Sequence, residues 1–355
     1  MLPRGAVLAA CLLLTACGAQ SGPLASPSGT VGVTSTAPPK PSGGAARLRF
    51  LAGYQPQANV SFVGPYVAQA KGYYREANLA VDIEHVARTG ENFQALAENQ
   101  ADVTTGVGED VVRLVQAGMP LLAIASVTQR GDHGFASLAS SGIKAPKQWQ
   151  GKTVGYKGAG VSIDYLALIK KVGVDRSSVK EVQIGYDPAV LVKRQVDVLP
   201  VFLSNEPDTI RSQLGFEVNV IDPADFGVVL MGQTWLVNRN QLAASRGVYE
   251  RWLGATLRGL EYAFAHEDEA VSAVMSYAPR ANREHQRAML DIEREASVTA
   301  VTRARGLGWL APEPWSATQD ALLQTGQIPT KLDVSRYYDD ELLRDVRLGS
   351  ARAEE

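Results

Sequence analysis

The spacing of apolar residues predicts a helix followed by a strand early in the chain. Apolar and polar side chains alternate over residues 79–84, which is typical of a half-buried strand. Pro65 fits the first turn of a preceding helix, because its fixed φ suits that position and its missing N–H is not needed there. Gly72 stands where this helix would end. The loop at residues 55–63 is then expected at the positive end of the helix, where backbone N–H groups can meet a polar ligand.

The strand and helix pattern continues and then restarts after residue 139, which predicts two α/β units. Strands are expected at 47–51, 102–105, 121–127, 179–184, 196–202, 218–221 and 234–237, and a turn and strand at 149–156. Helices are expected at 91–99, 109–117, 162–172, 189–195, 283–300 and 314–326, and on an apolar stripe between Leu253 and Phe264. Strands that alternate with helices over short connections favour mostly parallel sheets with helices on both faces. In such sheets, ligands bind beyond the carboxyl ends of the strands.

The first 46 residues have the composition of an export signal followed by a tether. Residues 6–14 are an apolar run too short to span a bilayer, and the stretch ending at Cys17 resembles the lipobox of bacterial lipoproteins. An ordinary signal peptide cleaved near Ala19 is the alternative. Residues 18–46 are almost wholly Gly, Ser, Pro, Thr and Ala, a composition that cannot bury enough apolar surface to fold. We therefore predict a signal peptide at 1–17, lipidation at Cys17 and a flexible linker at 18–46.

Composition and charge narrow the class of protein. With 355 residues, 45% hydrophobic and 20% charged, the chain is long enough for two lobes, each with its own core. A formal net charge of −2 disfavours nucleic-acid binding. The cysteines are Cys11 and Cys17, which leaves the exported part without a disulfide or a cysteine nucleophile. The four histidines lack metal-ligand spacing and no GxSxG motif occurs, so we predict no metal, no cofactor and no catalytic residue.

One segment carries a resemblance to a known family. Residues 64–86 read GPYVAQAKGYYREANLAVDIEHV, which is similar to the start of the SsuA/THI5-like solute-binding proteins for alkanesulfonates, thiamine pyrimidine precursors and riboflavin. The family has a glycine before its second strand, and this chain has Asn78 at that position. The replacement is tolerable because asparagine, like glycine, adopts the left-handed backbone conformation. Motifs at 306–309 and 326–328 resemble the closing section of the family, so the resemblance spans residues 48–343.

The resemblance implies a two-lobed periplasmic-binding-protein-like fold of type II, with the ligand in the cleft between the lobes. The pattern of strands and helices along this chain predicts lobe 1 at 47–140 and 234–345, lobe 2 at 141–233, and a polar tail at 346–355. The resemblance also implies a binding protein and not an enzyme. The expected protein is a monomer that is exported, lipid-anchored at the outer face of the bacterial cytoplasmic membrane, and partnered by ABC permease and ATPase subunits.

Candidate ligand contacts lie at the predicted cleft. Aromatic side chains gather there, and a flat heteroaromatic ligand stacks on such rings. Glu206 follows the strand that ends at Phe202, and it either caps a helix or accepts hydrogen bonds from ligand N–H groups. Residues 157–160 are a strand-to-helix turn that can also bind an anion. The predicted contacts are Tyr54, Phe62, Tyr66, Asp110, Tyr156, Tyr186, Asn205, Glu206 and Trp235.

The resemblance and the ring-rich cleft together indicate a small flat vitamin-type ligand. It is either a pyrimidine precursor of thiamine, such as hydroxymethyl- or formylaminopyrimidine, or riboflavin. Alkanesulfonate or taurine binding is one alternative, although such proteins are expected to have anion-binding turns and fewer aromatic residues. A second alternative is an enzyme similar to the fungal pyrimidine synthases, whose cysteine-rich motif this chain lacks. A third is a sensory lipoprotein that binds the same ligand but feeds no transporter.

Overall fold

The part of the chain that the structure describes, residues 44–88, 90–158 and 160–354 of a computed structural model, is built on three sheets flanked by helices. The strands are β1 (Ala46–Ala52), β2 (Leu79–His85), β3 (Val103–Val107), β4 (Leu121–Ser126), β5 (His133–Leu138), β6 (Thr153–Tyr156), β7 (Lys180–Gln183), β8 (Leu199–Phe202), β9 (Val218–Ile221) and β10 (Gln233–Asn238). The helices are α1 (Val60–Lys71), α2 (Tyr73–Glu76), α3 (Glu91–Ala97), α4 (Gly108–Gln116), α5 (Ile163–Val172), α6 (Ala189–Val192), α7 (Glu206–Ser212), α8 (Arg239–Ala265), α9 (Glu267–Tyr277), α10 (Arg283–Ser297), α11 (Ala300–Arg305), α12 (Pro312–Gln324) and α13 (Glu341–Glu354).

The first sheet has five strands in the order β2-β1-β3-β10-β4. Strand β1 pairs in parallel with β2 and β3, whereas β10 pairs antiparallel with β3 and β4. Every residue of β4 and β10 is buried. The long apolar runs of these strands are therefore explained by helices that cover both faces of the sheet.

The second sheet has the order β8-β5-β9, and the β6-β7 pair lies beside it through a bridge between Val154 and Val198. The chain passes from the first sheet to the second through residues 127–132 and returns through 222–232. Strands β5 and β10, which follow these two crossings, run antiparallel to their neighbours, because no crossover helix precedes them. The sequence analysis assigned β5 to lobe 1, but it pairs with β8 and β9 of the second sheet. The lobe boundaries themselves stay a prediction.

Three apolar clusters fill the space around the sheets. One lies between the first sheet and helices α1, α8, α9 and α10, and it contains Phe50 stacked on Trp252 at a centroid distance of 5.8 Å. The second continues from the first sheet to β5 and α5, where Trp149 stacks on Tyr165. The third packs α6 and α7 against the second sheet. Among the described helices, none combines the length and the apolar character that crossing a membrane requires.

Helix α1 begins five residues earlier than the sequence pattern predicts. It starts at Val60 and not at Pro65, because the Asn59 side chain caps it by accepting from Ser61 N at 2.9 Å. The predicted loop at 55–63 therefore includes the first turn of the helix. Pro65 lies inside the helix, where its missing N–H leaves the carbonyl of Ser61 without the usual partner. The indole Nε1 of Trp235 donates to that carbonyl at 2.9 Å, which explains how the helix tolerates the proline.

We expect Trp235→Phe to lower the free energy of unfolding by about 1 to 3 kcal/mol, because it removes the donor to the buried Ser61 carbonyl. Adding Pro65→Ala supplies a backbone N–H for the same carbonyl, so the double variant should recover part of the loss. Urea unfolding of the wild type, both single variants and the double variant measures this coupling. If Trp235→Phe lowers the free energy of unfolding equally with proline and with alanine at position 65, the lost ring volume and not the lost hydrogen bond causes the destabilisation.

Most other predicted elements are confirmed within a few residues. Gly72 ends α1 at φ 79°, and Asn78 has φ 53°, as expected for the residue that replaces the family's glycine. The apolar stripe between Leu253 and Phe264 belongs to α8. Helices α9, α11 and α13 were not predicted, and α13 includes most of the segment predicted as a polar tail.

Candidate functional site

A cavity of about 460 Å³ lies beyond the carboxyl ends of β1, β3 and β8, where the sequence analysis placed the ligand. Its walls come from the loop after β1, the β3-α4 junction, the first crossing, the start of β10, the turn between β8 and α7, and one face of α10. The first and second sheets therefore both contribute to it, and its volume suits a small-molecule site.

The structure brings six of the predicted contacts together around this cavity: Tyr54, Phe62, Asp110, Tyr186, Asn205 and Glu206. Tyr156 lies instead in an adjoining cavity. Tyr66 and Trp235 belong to the core, so their assignment as ligand contacts is corrected. Tyr66 stacks on Tyr277 at 4.0 Å and Trp235 contacts Trp252 edge to face at 5.5 Å, because the inward faces of α1 and β10 pack on helices. Cys17 is outside the described residues.

Aromatic rings form the apolar part of the cavity wall. Phe62 is buried at the bottom, whereas Tyr54 and Tyr186 are 41% and 70% exposed at the mouth. Phe202 also lines the cavity, with its ring centroid 4.8 Å from that of His133. Exposed rings at the mouth of a cavity are available to stack on a flat ligand.

A buried polar wall, which the sequence analysis missed, is centred on Asp132 and Gln233. Gln233 Nε2 donates to Asp132 Oδ2 at 2.7 Å, and Gln233 Oε1 accepts from Ser61 Oγ at 2.8 Å, so the amide is held at both ends. Asp132 is 8% exposed, and its Oδ1 has no hydrogen-bond partner within the described residues. An unpaired buried carboxylate oxygen is unfavourable, so this wall would gain from a ligand that donates a hydrogen bond.

Glu293 of α10 joins three elements at the back of the cavity. Its Oε2 accepts from Val60 N at the start of α1 at 2.8 Å, and its Oε1 accepts from Ser204 Oγ, after β8, at 2.9 Å. Burial raises the pKa of the Glu293 carboxyl to about 8, with a further contribution from Asp132. Glu293 therefore connects the start of α1 to the turn after β8 through a carboxyl group whose pKa is raised by burial.

The three predicted polar contacts, Glu206, Asn205 and Asp110, each bind a neighbouring protein group. The Glu206 carboxylate has two such partners. It accepts from Phe202 N at 2.8 Å and forms an ion pair with Lys157 Nζ at 2.5 Å. Asn205 Oδ1 lies 3.0 Å from His285 Nε2. Asp110 pairs with Arg113 at 2.5 Å. All three predicted polar contacts thus have protein partners as well as a position on the cavity wall.

We expect Glu206→Ala to lower the free energy of unfolding by about 1 to 3 kcal/mol, because it leaves Phe202 N–H and the Lys157 ammonium without their acceptor. Glu206→Gln keeps an acceptor for Phe202 N–H and should lose less. Ligand affinity, measured on both variants by calorimetry, tests the second role proposed for this residue. Weaker binding by a Glu206→Gln protein of normal stability would support a direct ligand contact, and unchanged affinity would leave only the structural role.

His133 and Glu109 add charge to the side of the cavity nearest α5. His133 Nδ1 lies 3.4 Å from Asp164 Oδ2. Burial lowers the pKa of the His133 imidazole, but Asp164, Asp132 and Glu109 outweigh this and raise it to about 10. Burial and the nearby Asp164 raise the pKa of Glu109 to about 7.

In the described ranges, no group of three or more His, Cys, Asp or Glu is arranged to hold a metal ion.

The sequence profile of the family described as NMT1/THI5 like matches residues 59–270 of this chain. The chain belongs to the NMT1/THI5 like family. Among curated relatives, the riboflavin-binding protein RibY of Chloroflexus aurantiacus is 26% identical over 349 residues, which are 94% of this chain and 95% of that protein. The formylaminopyrimidine-binding protein of Halalkalibacterium halodurans is 25% identical over 61% of this chain and 67% of its own length.

The fold of this NMT1/THI5 like protein is also found in solved structures. The periplasmic aliphatic sulphonate binding protein SsuA of Escherichia coli superposes with a TM-score of 0.65, at 15% identity, over 83% of this chain and 92% of SsuA. The predicted α/β fold of the type II periplasmic binding proteins is therefore confirmed. At this level of identity the likeness concerns the fold alone.

Proposed function

We propose that this protein is the solute-binding component of an ABC importer and that it captures a small flat heteroaromatic vitamin or vitamin precursor. The ligand is a pyrimidine precursor of thiamine, such as hydroxymethyl- or formylaminopyrimidine, or riboflavin. The observation that carries the proposal is that one cavity is lined both by rings available for stacking and by a buried carboxylate, Asp132, whose Oδ1 has no hydrogen-bond partner within the described residues. Rings that carry N–H donors at their edge match both features. The relatives named for riboflavin and formylaminopyrimidine support this class.

The charge of the cavity argues against a sulfonate. Five carboxyl groups line it: Glu109, Asp110, Asp132, Glu206 and Glu293. His133 is the cation among them, and it is already paired with Asp164. A sulfonate would find no unpaired cation among these described lining residues, whereas a neutral ring with hydrogen-bond donors would meet acceptors.

The proposal includes the cellular setting predicted from the sequence. The protein is exported, anchored to the outer face of the membrane by lipid on Cys17, and acts as a monomer that delivers its ligand to permease and ATPase subunits. We also propose that the protein binds its ligand without changing it chemically. The cavity offers hydrogen-bond acceptors and aromatic rings, which suit binding and release. Ligand recovered unchanged after incubation would support binding, and a chromatographically new product would support an enzyme.

A thermal-shift titration tests the ligand class directly. The purified protein is titrated with hydroxymethylpyrimidine, formylaminopyrimidine, riboflavin, thiamine and taurine. A true ligand at one hundred times its dissociation constant stabilises the fold by about 2.7 kcal/mol, which gives a clear shift. A response to a pyrimidine or to riboflavin is the expected result. A response to taurine alone, or to none of the five compounds, would overturn the proposal.

A further inference from the structure

A second cavity, of about 480 Å³, adjoins the first on the side of the second sheet. The two cavities share four lining residues, Glu109, His133, Tyr186 and Phe202. We infer that the ligand has two parts: a flat ring in the first cavity and a neutral hydroxylated chain in the second. This inference rests on the proposed function and deepens it, because a bare pyrimidine would occupy one cavity and leave the other empty.

The charges of the second cavity favour a neutral chain over an anionic one. Its described lining contains the cations Lys157, Arg113 and His133, and His133 is paired with Asp164. Lys157 is 14% exposed and paired with Glu206 at 2.5 Å. Arg113 lies 2.5 Å from Asp110 and 3.4 Å from Glu109. A phosphate or carboxylate on the ligand would have to displace these carboxylates, whereas a neutral chain leaves the pairs intact.

The polar groups of the second cavity suit hydroxyl groups. Tyr156 and Ser162 supply hydroxyls, and Gln327 supplies an amide. Ser162 Oγ accepts from Tyr165 N at 3.2 Å as the cap of α5, so its own O–H is available to donate. A chain of hydroxyl groups can both donate and accept, which matches this mixed set of partners.

Gly160 offers a way to block the second cavity without disturbing the first. It lines the second cavity, its φ lies outside the left-handed region, and a Cβ built on it meets no atom within 4 Å. Gly160→Leu should therefore add bulk to the wall of the second cavity without a clash at its Cβ. Gly247→Leu is the matched control, because Gly247 is exposed on α8 and its nearest contact is an Arg251 nitrogen at 3.8 Å.

Binding of riboflavin and of lumiflavin, which has a methyl group in place of the hydroxylated chain, tests the inference by fluorescence titration. We expect the wild type to bind riboflavin at least tenfold more tightly than lumiflavin. Gly160→Leu should lower riboflavin affinity at least tenfold and change lumiflavin affinity less than twofold, and Gly247→Leu should change neither.

The possible failures are distinguishable. Equal affinity for the two flavins, or equal loss of both in Gly160→Leu, would overturn the two-part ligand and leave the proposed function standing. Tighter binding of flavin mononucleotide than of riboflavin would overturn the neutral chain. Binding of a pyrimidine with no flavin binding would overturn this inference alone. No binding of any flavin or pyrimidine would overturn both proposals.

Discussion

Asp132→Asn is expected to weaken ligand binding about ten- to one-hundred-fold and to change stability little. The substitution keeps an oxygen for the hydrogen bond from Gln233, but it places an N–H group where the unpaired Oδ1 now lies. A ligand that donates a hydrogen bond at this point would meet a second donor, at a cost of about 1 to 3 kcal/mol. Calorimetric titration with the compound that responds in the thermal-shift panel measures the effect.

A surface aspartate provides the control for this experiment. Asp320 pairs with Lys331 on the side of α12 and is 38% exposed, so Asp320→Asn should leave affinity unchanged. Urea unfolding of both variants checks that the fold is intact. Unchanged affinity in a folded Asp132→Asn protein would mean that the ligand does not contact this carboxylate.

Glu293→Ala is expected to lower the free energy of unfolding by about 2 to 5 kcal/mol. Two buried donors, Val60 N–H and Ser204 O–H, lose their acceptor, and each such loss costs about 1 to 3 kcal/mol. Asn59 Nδ2 also loses a longer bond, of 3.3 Å, to Glu293 Oε1. Glu293→Gln keeps the volume and one acceptor, so its loss should be smaller. Equilibrium unfolding in urea at one pH measures both variants, and equal losses would show that side-chain volume does not matter here.

The raised pKa of Glu293 gives these variants a pH dependence of known sign. Since the folded-state pKa is about 8 and the ordinary value is 4.5, the folded chain holds a proton between these pH values that the unfolded chain releases. This group's contribution to stability therefore falls as pH rises from about 4.5 to 8, by about 1.4 kcal/mol per pH unit. Glu293→Gln lacks this proton, so its stability relative to the wild type should improve across the same window. A difference that does not change with pH would contradict the assignment.

Local patterns predicted the elements but not the contacts between distant residues. Alternation and glycine positions located β2 and the end of α1 correctly, because strand pleating and left-handed turns depend on nearby residues. The start of α1 was missed because Pro65 is typical of a first turn. The indole N–H that makes an interior proline acceptable comes from Trp235, far along the chain. No periodicity within α1 carries that information.

In the site, too, local patterns located some residues, whereas contacts between distant parts of the chain were not predicted. Tyr54 and Glu206 follow strands, so a rule about strand ends placed them near the cavity. Asp132 and Gln233 lie in or beside the crossings, where the sequence shows no regular pattern. Glu293 did leave a signal: it shares the buried face of α10 with Met289, Leu290 and Ala296. A carboxyl group among apolar side chains at helical spacing indicates a buried partner.

Helix α10 also bears on how long a ligand stays bound. It contacts the loop between β1 and α1 through Gln286, which accepts from Ala58 N at 2.6 Å, and α7 through His285, which lies 2.6 Å from Asp208 Oδ2. The Glu293 bonds to Val60 and Ser204 lie one turn or more further along. Any motion that widens the cavity between the sheets must break the contacts on one side of this helix. We therefore expect the dissociation rate, more than the association rate, to depend on these few bonds, so that α10 sets the residence time of the ligand.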